Sequence, residues 1–296
     1  AGSVNMFYLT RMAYVISGKT KDLGDGFHVV RILPHIDARA VGPFVFVDHF
    51  GPAPITTGHE LSVRPHPHIG LATVTYLYDG VIFHKDSIGS EELIQPDEVN
   101  WMTAGRGIVH SEHSRRDARY AIIEGIQTWV ALPAEHEETE PAFEHYAADV
   151  LPVLKGPGWK MRLIAGSLMS ETSPVKILSP LFYADLELTA GGSALLDFPP
   201  GQQAALYVAR GAVAAAGQNA KVGEMIVFAD GEKVTVAAPA EARVVLLGGK
   251  RLAEPRHLWW NFVSSSKERI EKAKLDWQAN TMGLVAGESD RIPLPE

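Results

Sequence analysis

Short hydrophobic stretches recur along most of this chain, and Gly or Pro repeatedly separates one from the next. The stretches are rich in Val, Ile, Phe, Tyr and Leu, several of which are enriched in strands. Short strands at close spacing, with turn signals between them, indicate a β-sandwich or β-barrel. The clearest predicted strands are His28–Leu33, Pro43–Asp48, Ala72–Leu77, Ile122–Leu132, Leu181–Leu188, Ala204–Val208 and Arg243–Leu247.

Only the C-terminal part of the chain has a helical pattern. The run Ser265-Ser266-Lys267-Glu268 fits a capping box, the signal of a helix start. After it, Ile270, Ala273 and Trp277 recur at helical spacing and share one face. We therefore predict a C-terminal surface helix that packs this face against the barrels.

A weak internal repeat indicates that the barrel occurs twice. The segment 76–81 (YLYDGV) resembles the segment 207–212 (YVARGA), and each lies between two β-rich stretches. We predict two tandem antiparallel β-barrels, with a boundary between Leu151 and Val175. Residues 1–150 would form the first barrel, and residues 151–296 the second barrel plus the helix.

Composition narrows the range of functions. The chain has 296 residues, of which 46% are hydrophobic, and no apolar run approaches the ~18 residues that a membrane span needs. The net charge of -8 disfavours direct binding of nucleic acid. The absence of Cys rules out disulfides and thiolate ligands. The N-terminal residues lack the pattern of a secretory signal, so we expect a cytoplasmic protein without a membrane partner.

Two short motifs carry the candidate chemistry. His66-Pro67-His68 and His110-Ser111-Glu112 each place two ligand side chains at positions i and i+2. On a strand such residues project from the same face. If the two strands face each other, three imidazoles and one carboxylate converge, and this set suits a divalent ion of Fe, Mn, Ni, Cu or Zn.

The distribution of histidine assigns this metal site to the first barrel. Eleven of the twelve histidines lie at or before His145. The repeat offset of 131 residues places Asp197 and Pro199 opposite His66 and His68. We therefore predict that the second barrel lacks the metal ligands.

The residues around these motifs resemble a known family, the pirins. The segment 63–70 (VRPHPHIG) is similar to the first cupin motif as it appears in pirins, and the segment 100–112 (NWMTAGRGIVHSE) resembles the second pirin motif. Further similar segments are 42–48 (GPFVFVD), 125–133 (GIQTWVALP) and 259–264 (WWNFVS). The resemblance is dense from Gly42 to Pro133 and thinner beyond.

The resemblance implies a bicupin, which is an all-β fold of two jelly-roll barrels with one metal in the N-terminal barrel. It places the ligands on His66, His68, His110 and Glu112 and implies iron as the usual metal. One position departs from the pattern, because Ala72 stands where many cupins have a glutamate.

Other polar and aromatic residues near the motifs are less specific. We expect Trp101 and Met102 to pack the barrel, and strand packing also explains Gln127 and Trp129. Arg106 is either a turn residue or a charge near the metal. The remaining histidines are interpreted as lying outside the ligand set: His113 on the opposite strand face, His59 and His84 in loops or on strand faces, and His49 in a turn.

Two functions fit this pattern. The first is a metal-dependent dioxygenase, with Fe(II) as its expected metal, that acts on a flavonol such as quercetin. Glu112 would then be the catalytic base that takes the substrate's hydroxyl proton. The alternative is a non-catalytic, redox-responsive regulator that binds a protein partner, as some pirins do.

Overall fold

The computed structural model describes residues 12–23, 27–55, 61–115, 117–231 and 233–295. Strands in the first half are β1 (Tyr14–Ser17), β2 (Lys19–Asp22), β3 (His28–Leu33), β4 (Phe44–Pro54), β5 (Ser62–His68), β6 (Leu71–Asp79), β7 (Ile82–Asp86), β8 (Glu91–Ile94), β9 (Val99–Thr103), β10 (Ile108–Ser114), β11 (Ile122–Ala131) and β12 (Ala142–Tyr146). Short 3₁₀ helices lie at Ala134–His136 and Ala148–Val150.

The second half continues the same architecture. Its strands are β13 (Val153–Gly156), β14 (Trp159–Leu168), β15 (Glu171–Thr172), β16 (Leu181–Leu188), β17 (Ser193–Asp197), β18 (Gln203–Arg210), β19 (Ala212–Ala215), β20 (Gln218–Lys221), β21 (Glu224–Val227), β22 (Lys233–Ala237), β23 (Ala242–Gly249), β24 (His257–Trp259) and β25 (Phe262–Ser264). The α-helix α1 follows at Lys267–Gln278.

Each half consists of two antiparallel sheets. In the first half these are β12-β9-β6-β11-β4-β3-β2 and β5-β10-β7-β8, and in the second β13-β14-β16-β23-β18-β21-β1 and β17-β22-β19-β20. One hydrophobic cluster of the second half draws residues from both of its sheets, so these sheets pack face to face. The predicted all-β fold of two jelly-roll barrels is confirmed.

The ends of the chain cross between the two halves. Strand β1 pairs with β21 of the second half, with Tyr14 opposite Val227. The hairpin β24–β25 and helix α1 return to the first half, where Ile69 forms a bridge with Phe262. The boundary between the two halves at residues 150 and 151 stays a prediction. Strand β12, before it, pairs within the first-half sheet, and β13, after it, pairs within the second-half sheet.

The repeat seen in the sequence corresponds to a shared turn. Strands β6 and β18 end at Asp79 and Arg210, and the next strands, β7 and β19, follow immediately. Gly80 and Gly211 occupy the turns with φ of +82° and +76°. A glycine adopts this left-handed conformation without the steric cost that a side chain brings, so the same residue type stands at both turns.

The largest core lies between the two halves. Its fully buried aromatic residues include Phe44 and Tyr76 from the first half and Tyr183 and Tyr207 from the second. Strand β6 is buried along eight of its nine residues, since one face packs inside its own barrel and the other against the second barrel. Both faces of Ala72–Leu77 are therefore buried, and Thr73 and Thr75 are buried together with the apolar residues between which they lie.

Helix α1 forms where the sequence predicts it, but its cap lies one residue later. Ser266 is the N-cap, and its hydroxyl accepts from the Arg269 N–H at 3.2 Å. The Ser265 backbone N–H and hydroxyl instead donate to the buried carboxylate of Glu137. Ile270, Ala273 and Trp277 are buried as predicted. Among the described residues, no helix is long and apolar enough to span a membrane.

Candidate metal centre

Three adjacent strands of the smaller first-half sheet carry the site. Strands β5 and β10 pair antiparallel, with His110 opposite His66 and Ile108 opposite His68. The register shifts by a bulge between His110 and Glu112. Because ligands alternate with other residues on each strand, both motifs direct their ligands to one face.

The structure brings the three predicted histidines together. The ring centroids of His66, His68 and His110 lie 4.3 to 5.0 Å apart, and all three residues are buried. One ligand nitrogen from each lies within 4.8 Å of the other two. The Nε2 atoms of His68 and His110 are 3.1 Å apart, close to the spacing of neighbouring ligands that each bind one ion at about 2.1 Å.

The protonation state of these rings favours the binding of a cation. His66 Nδ1 donates to the Arg64 carbonyl at 2.8 Å, and His68 Nδ1 donates to the Asn261 carbonyl at 3.2 Å, so Nε2 of each ring carries a lone pair. Burial lowers the pKa of His66 to about 4 and lowers the pKa of His68 and His110 well below its ordinary value. The rings are therefore neutral near pH 7, as metal ligation requires.

Glu112 joins the cluster through His110. Its carboxylate belongs to a second group, with His84 and His110, whose donor atoms also lie within 4.8 Å of one another. Burial raises the pKa of Glu112, while the nearby His84 and a 3.0 Å bond from the Thr75 hydroxyl partly oppose that rise. Glu112 opens onto the same cavity as the three histidines.

His84 is a member of the cluster that the sequence interpretation placed outside it. It is buried, and its Nδ1 lies 3.4 Å from Nδ1 of His110. Its Nε2 donates to Asp86 at 3.0 Å. Burial raises the pKa of Asp86, but the bonds from His84 and Ser90 outweigh it and leave that pKa below its ordinary value. His84-Lys85-Asp86 is a third i, i+2 pair on a strand, which is the signal that could have identified it.

The other sequence candidates lie away from the ligands. His113 contacts Ser62 and Glu288 on the outer face of β10, as predicted. His49 is bonded to Tyr207 and Glu124 between the barrels, not at the cavity. Arg106 is exposed and pairs with Glu140.

Packing explains most of the remaining candidates. Trp101 and Met102 are buried in the core, as predicted, and Ala72 is fully buried where many cupins have a glutamate. His59 lies outside the described residues.

A cavity of about 900 Å³ opens beside the cluster. Its wall includes Phe46 and Trp129, whose rings stack at 3.9 Å with an angle of 11° between their planes. Trp129 also meets His68 edge-on at 5.1 Å. The Arg31 guanidinium lies 4.5 Å from the Phe46 ring centre and pairs with Asp48 at 2.8 Å. Thus Gln127 and Trp129, predicted as packing residues, line the cavity.

The donor chemistry suits a divalent transition metal, with His66, His68 and His110 in one group and Glu112 in a second group that shares His110. It combines neutral, buried imidazole nitrogens with a carboxylate oxygen, and it contains no thiolate. Such N and O ligands suit Fe, Mn, Ni, Cu and Zn and do not by themselves choose among them.

Comparison with known proteins agrees with the fold and motifs. Family profiles described as Pirin and as Pirin C-terminal cupin domain match residues 26–130 and 183–283. The chain is 48% identical to a pirin-like protein of Caulobacter vibrioides over 287 residues, 95% of this chain and 99% of that protein. It is 36% identical over 284 residues to a Pseudomonas aeruginosa protein provisionally named quercetin 2,3-dioxygenase, covering 95% of this chain and 89% of that one.

Solved structures extend the comparison. The crystal structure of quercetin 2,3-dioxygenase from Acinetobacter baumannii matches with a TM-score of 0.90 and 31% identity, over 96% of this chain and 95% of that one. This chain therefore belongs to the pirin family, with an N-terminal pirin domain and a pirin C-terminal cupin domain.

Proposed function

We propose that this protein is a metal-dependent dioxygenase that acts on a flavonol such as quercetin. The observation that carries the proposal is a cluster of neutral histidines and a carboxylate opening onto a large cavity with an aromatic wall. The names of the Pseudomonas and Acinetobacter relatives support this reaction class.

The proposed ligands of the metal are His66, His68, His110 and Glu112. Three neutral imidazoles and one carboxylate would leave a bound Fe(II) with a net charge of +1, which attracts an anionic substrate. Iron is the metal that we propose, and Mn, Ni, Cu or Zn suits the same donors. When bound, such a metal supplies Lewis-acid polarisation of a substrate oxygen and a redox-active centre for O₂.

The aromatic wall is suited to a flat substrate. The stacked rings of Phe46 and Trp129 offer an apolar surface that ends next to His68. A flavonol ring packed against the edges of these two rings would gain about 0.5–1.5 kcal/mol of edge-to-face aromatic contact beyond simple burial. The surface would thus direct the hydroxyl and carbonyl oxygens of the substrate towards the ligand cluster.

The Thr75 hydroxyl can hold Glu112 in either protonation state. It lies 3.0 Å from Glu112 Oε1 and 2.8 Å from Gln127 Oε1, but it has only one hydrogen to donate. With Glu112 ionised, Thr75 donates to it. With Glu112 protonated, the carboxyl donates to Thr75, which then donates to Gln127. Glu112 can therefore take the substrate's hydroxyl proton without leaving a buried polar atom unpaired.

The test combines metal analysis with oxygen uptake. The purified protein is reconstituted with Fe(II) without oxygen, its iron content is measured, and oxygen consumption with quercetin is followed. We expect one equivalent of iron and uptake that His66→Ala abolishes together with the iron. Glu112→Gln should retain some iron and lose turnover. His113→Ala, which alters the outer face of the same strand, is the matched control and should bind iron like the wild type.

Each failure has a distinct meaning. Full turnover in Glu112→Gln would exclude Glu112 as the base. Bound iron without uptake on any flavonol would favour the regulator that binds a protein partner. A wild-type protein that takes up no metal would contradict the metal site itself.

A further inference from the structure

The cluster contains a buried chain of three side chains that leads away from the cavity. Strand β7 pairs with β10, with Asp86 opposite His110 and His84 opposite Glu112. Nε2 of His84 is 3.0 Å from Oδ2 of Asp86, and Nδ1 of His84 is 3.4 Å from Nδ1 of His110. Asp86, His84 and His110 are each at most 3% exposed, so water does not compete for these bonds.

The direction of the hydrogen bonds follows from Asp86. Its Oδ1 accepts from the backbone N–H groups of Ile88 at 3.1 Å and Ser90 at 2.9 Å, and a carboxylate is an acceptor only. His84 must therefore carry a hydrogen on Nε2, and as a neutral ring it presents a lone pair at Nδ1. That lone pair requires the hydrogen of His110 to be on Nδ1, so Nε2 of His110 carries a lone pair and faces the proposed metal.

The three ligand rings differ in the hydrogen-bond partner of Nδ1. Nδ1 of His66 and of His68 donates to backbone carbonyl groups, Arg64 and Asn261 respectively. Nδ1 of His110 instead faces an imidazole that is itself bonded to a carboxylate. Packing fixes that imidazole, since the His84 ring stacks on Phe143 at 4.3 Å with planes 16° apart.

We propose that Asp86 and His84 are positioning residues that set the tautomer of His110 and make it the strongest imidazole donor of the site. This inference rests on the metal site proposed above. A carboxylate that polarises a ligand histidine increases its basicity, and loss of such a partner typically costs 10- to 100-fold in metal affinity. A stronger donor also favours Fe(III) over Fe(II), so the pair lowers the reduction potential of the iron.

Asp86→Asn is the sharpest test, because it keeps the shape of the side chain. The amide oxygen can still accept from Ile88 and Ser90, which turns the NH₂ group towards His84. The hydrogen on His84 is then displaced to Nδ1, and that on His110 to Nε2, where it blocks the metal. We expect iron affinity 10- to 100-fold below that of the wild type, measured by competition with a chelator in the absence of oxygen, and a more positive reduction potential.

Two substitutions of His84 separate hydrogen bonding from packing. His84→Gln can donate to Asp86 and accept from His110 but loses the ring that stacks on Phe143. His84→Phe keeps a ring against Phe143 and offers no acceptor. We expect Gln to retain more iron affinity than Phe, whereas a purely structural role for His84 predicts the reverse order.

Glu124→Gln is the matched control. Glu124 is another buried carboxylate bonded to a histidine, His49, and it lies between the barrels. The control should bind iron like the wild type. Wild-type affinity and potential in Asp86→Asn, an equal loss in Glu124→Gln, or higher affinity in His84→Phe than in His84→Gln would each overturn the inference. A wild-type protein that binds no iron would instead contradict the proposed site.

Discussion

Replacing Arg243 with Met should destabilise the protein strongly and in a pH-dependent way. Arg243 lies between the barrels, where its Nε bonds Asp185 at 2.9 Å and its Nη2 bonds Asp97 at 3.1 Å. Asp185 is only 2% exposed and also accepts from the Tyr76 hydroxyl at 3.0 Å. Removing Arg243 leaves a buried carboxylate without its positive partner, a change that costs about 3–5 kcal/mol in other proteins.

The protonation of Asp185 sets an upper limit on this cost. Burial already raises the pKa of Asp185, opposed by Arg243, so loss of Arg243 raises that pKa further. Protonating a carboxyl of ordinary pKa 3.8 costs about 4 kcal/mol at pH 7 and about 2 kcal/mol at pH 5. A raised pKa in the folded state penalises the ionised form, and the penalty is relieved as pH falls. The destabilisation should therefore shrink on acidification.

Urea unfolding of the metal-free protein at pH 7 and pH 5 measures this effect without a contribution from metal binding. Arg251→Met is the matched control, because Arg251 pairs with Asp230 on the surface and its loss should cost no more than about 1 kcal/mol. The double variant Arg243→Met/Asp185→Asn should recover much of the lost stability. A cost for Arg243→Met that equals the control, or that is the same at both pH values, would refute the reasoning.

Three further predictions concern the site. Gly70 has φ of +68°, and a Cβ there would lie 1.9 Å from the Val263 carbonyl, so Gly70→Ala should displace hairpin β24–β25 and weaken iron binding through His68. Gly217→Ala is its control, because Gly217 has a similar φ of +73° but open space around it. This control should show only the backbone strain of about 1–2 kcal/mol in unfolding experiments. The folded pKa of His66, about 4, lies below the unfolded value of 6.5, so the unfolded state binds a proton first as pH falls. The metal-free protein should therefore lose about 3 kcal/mol of unfolding free energy between pH 6.5 and pH 4. An unchanged unfolding midpoint would contradict this. Phe46→Leu should raise KM for quercetin about 3- to 10-fold at unchanged iron content, and an unchanged KM would exclude this aromatic contact.

Several features of the site could be predicted from local sequence because strand geometry is local. The i, i+2 spacing of His66 with His68, and of His110 with Glu112, places each pair on one face whatever the rest of the fold does. The paired turns at Gly80 and Gly211 likewise reflect a backbone requirement visible in the residue type. These features need no knowledge of distant neighbours.

His84 shows where this approach fails. Its spacing to Asp86 is the same i, i+2 pattern, but a histidine on a strand can face solvent, a core or a ligand. The choice depended on the pairing of β7 with β10, which places His84 opposite Glu112. The helix cap shifted from Ser265 to Ser266 for a similar reason, since Glu137 binds Ser265 from 128 residues away.

By itself, the sequence determined the all-β fold, the amphipathic helix and the two ligand pairs, because each depends on periodicity within a few residues. Only the tertiary structure decided that the pairs face each other, that Asn261 orients His68 from 193 residues away, and that Phe46 and Trp129 line the cavity. Strand register and the packing of distant segments follow from the simultaneous burial of many side chains, and no single segment encodes them.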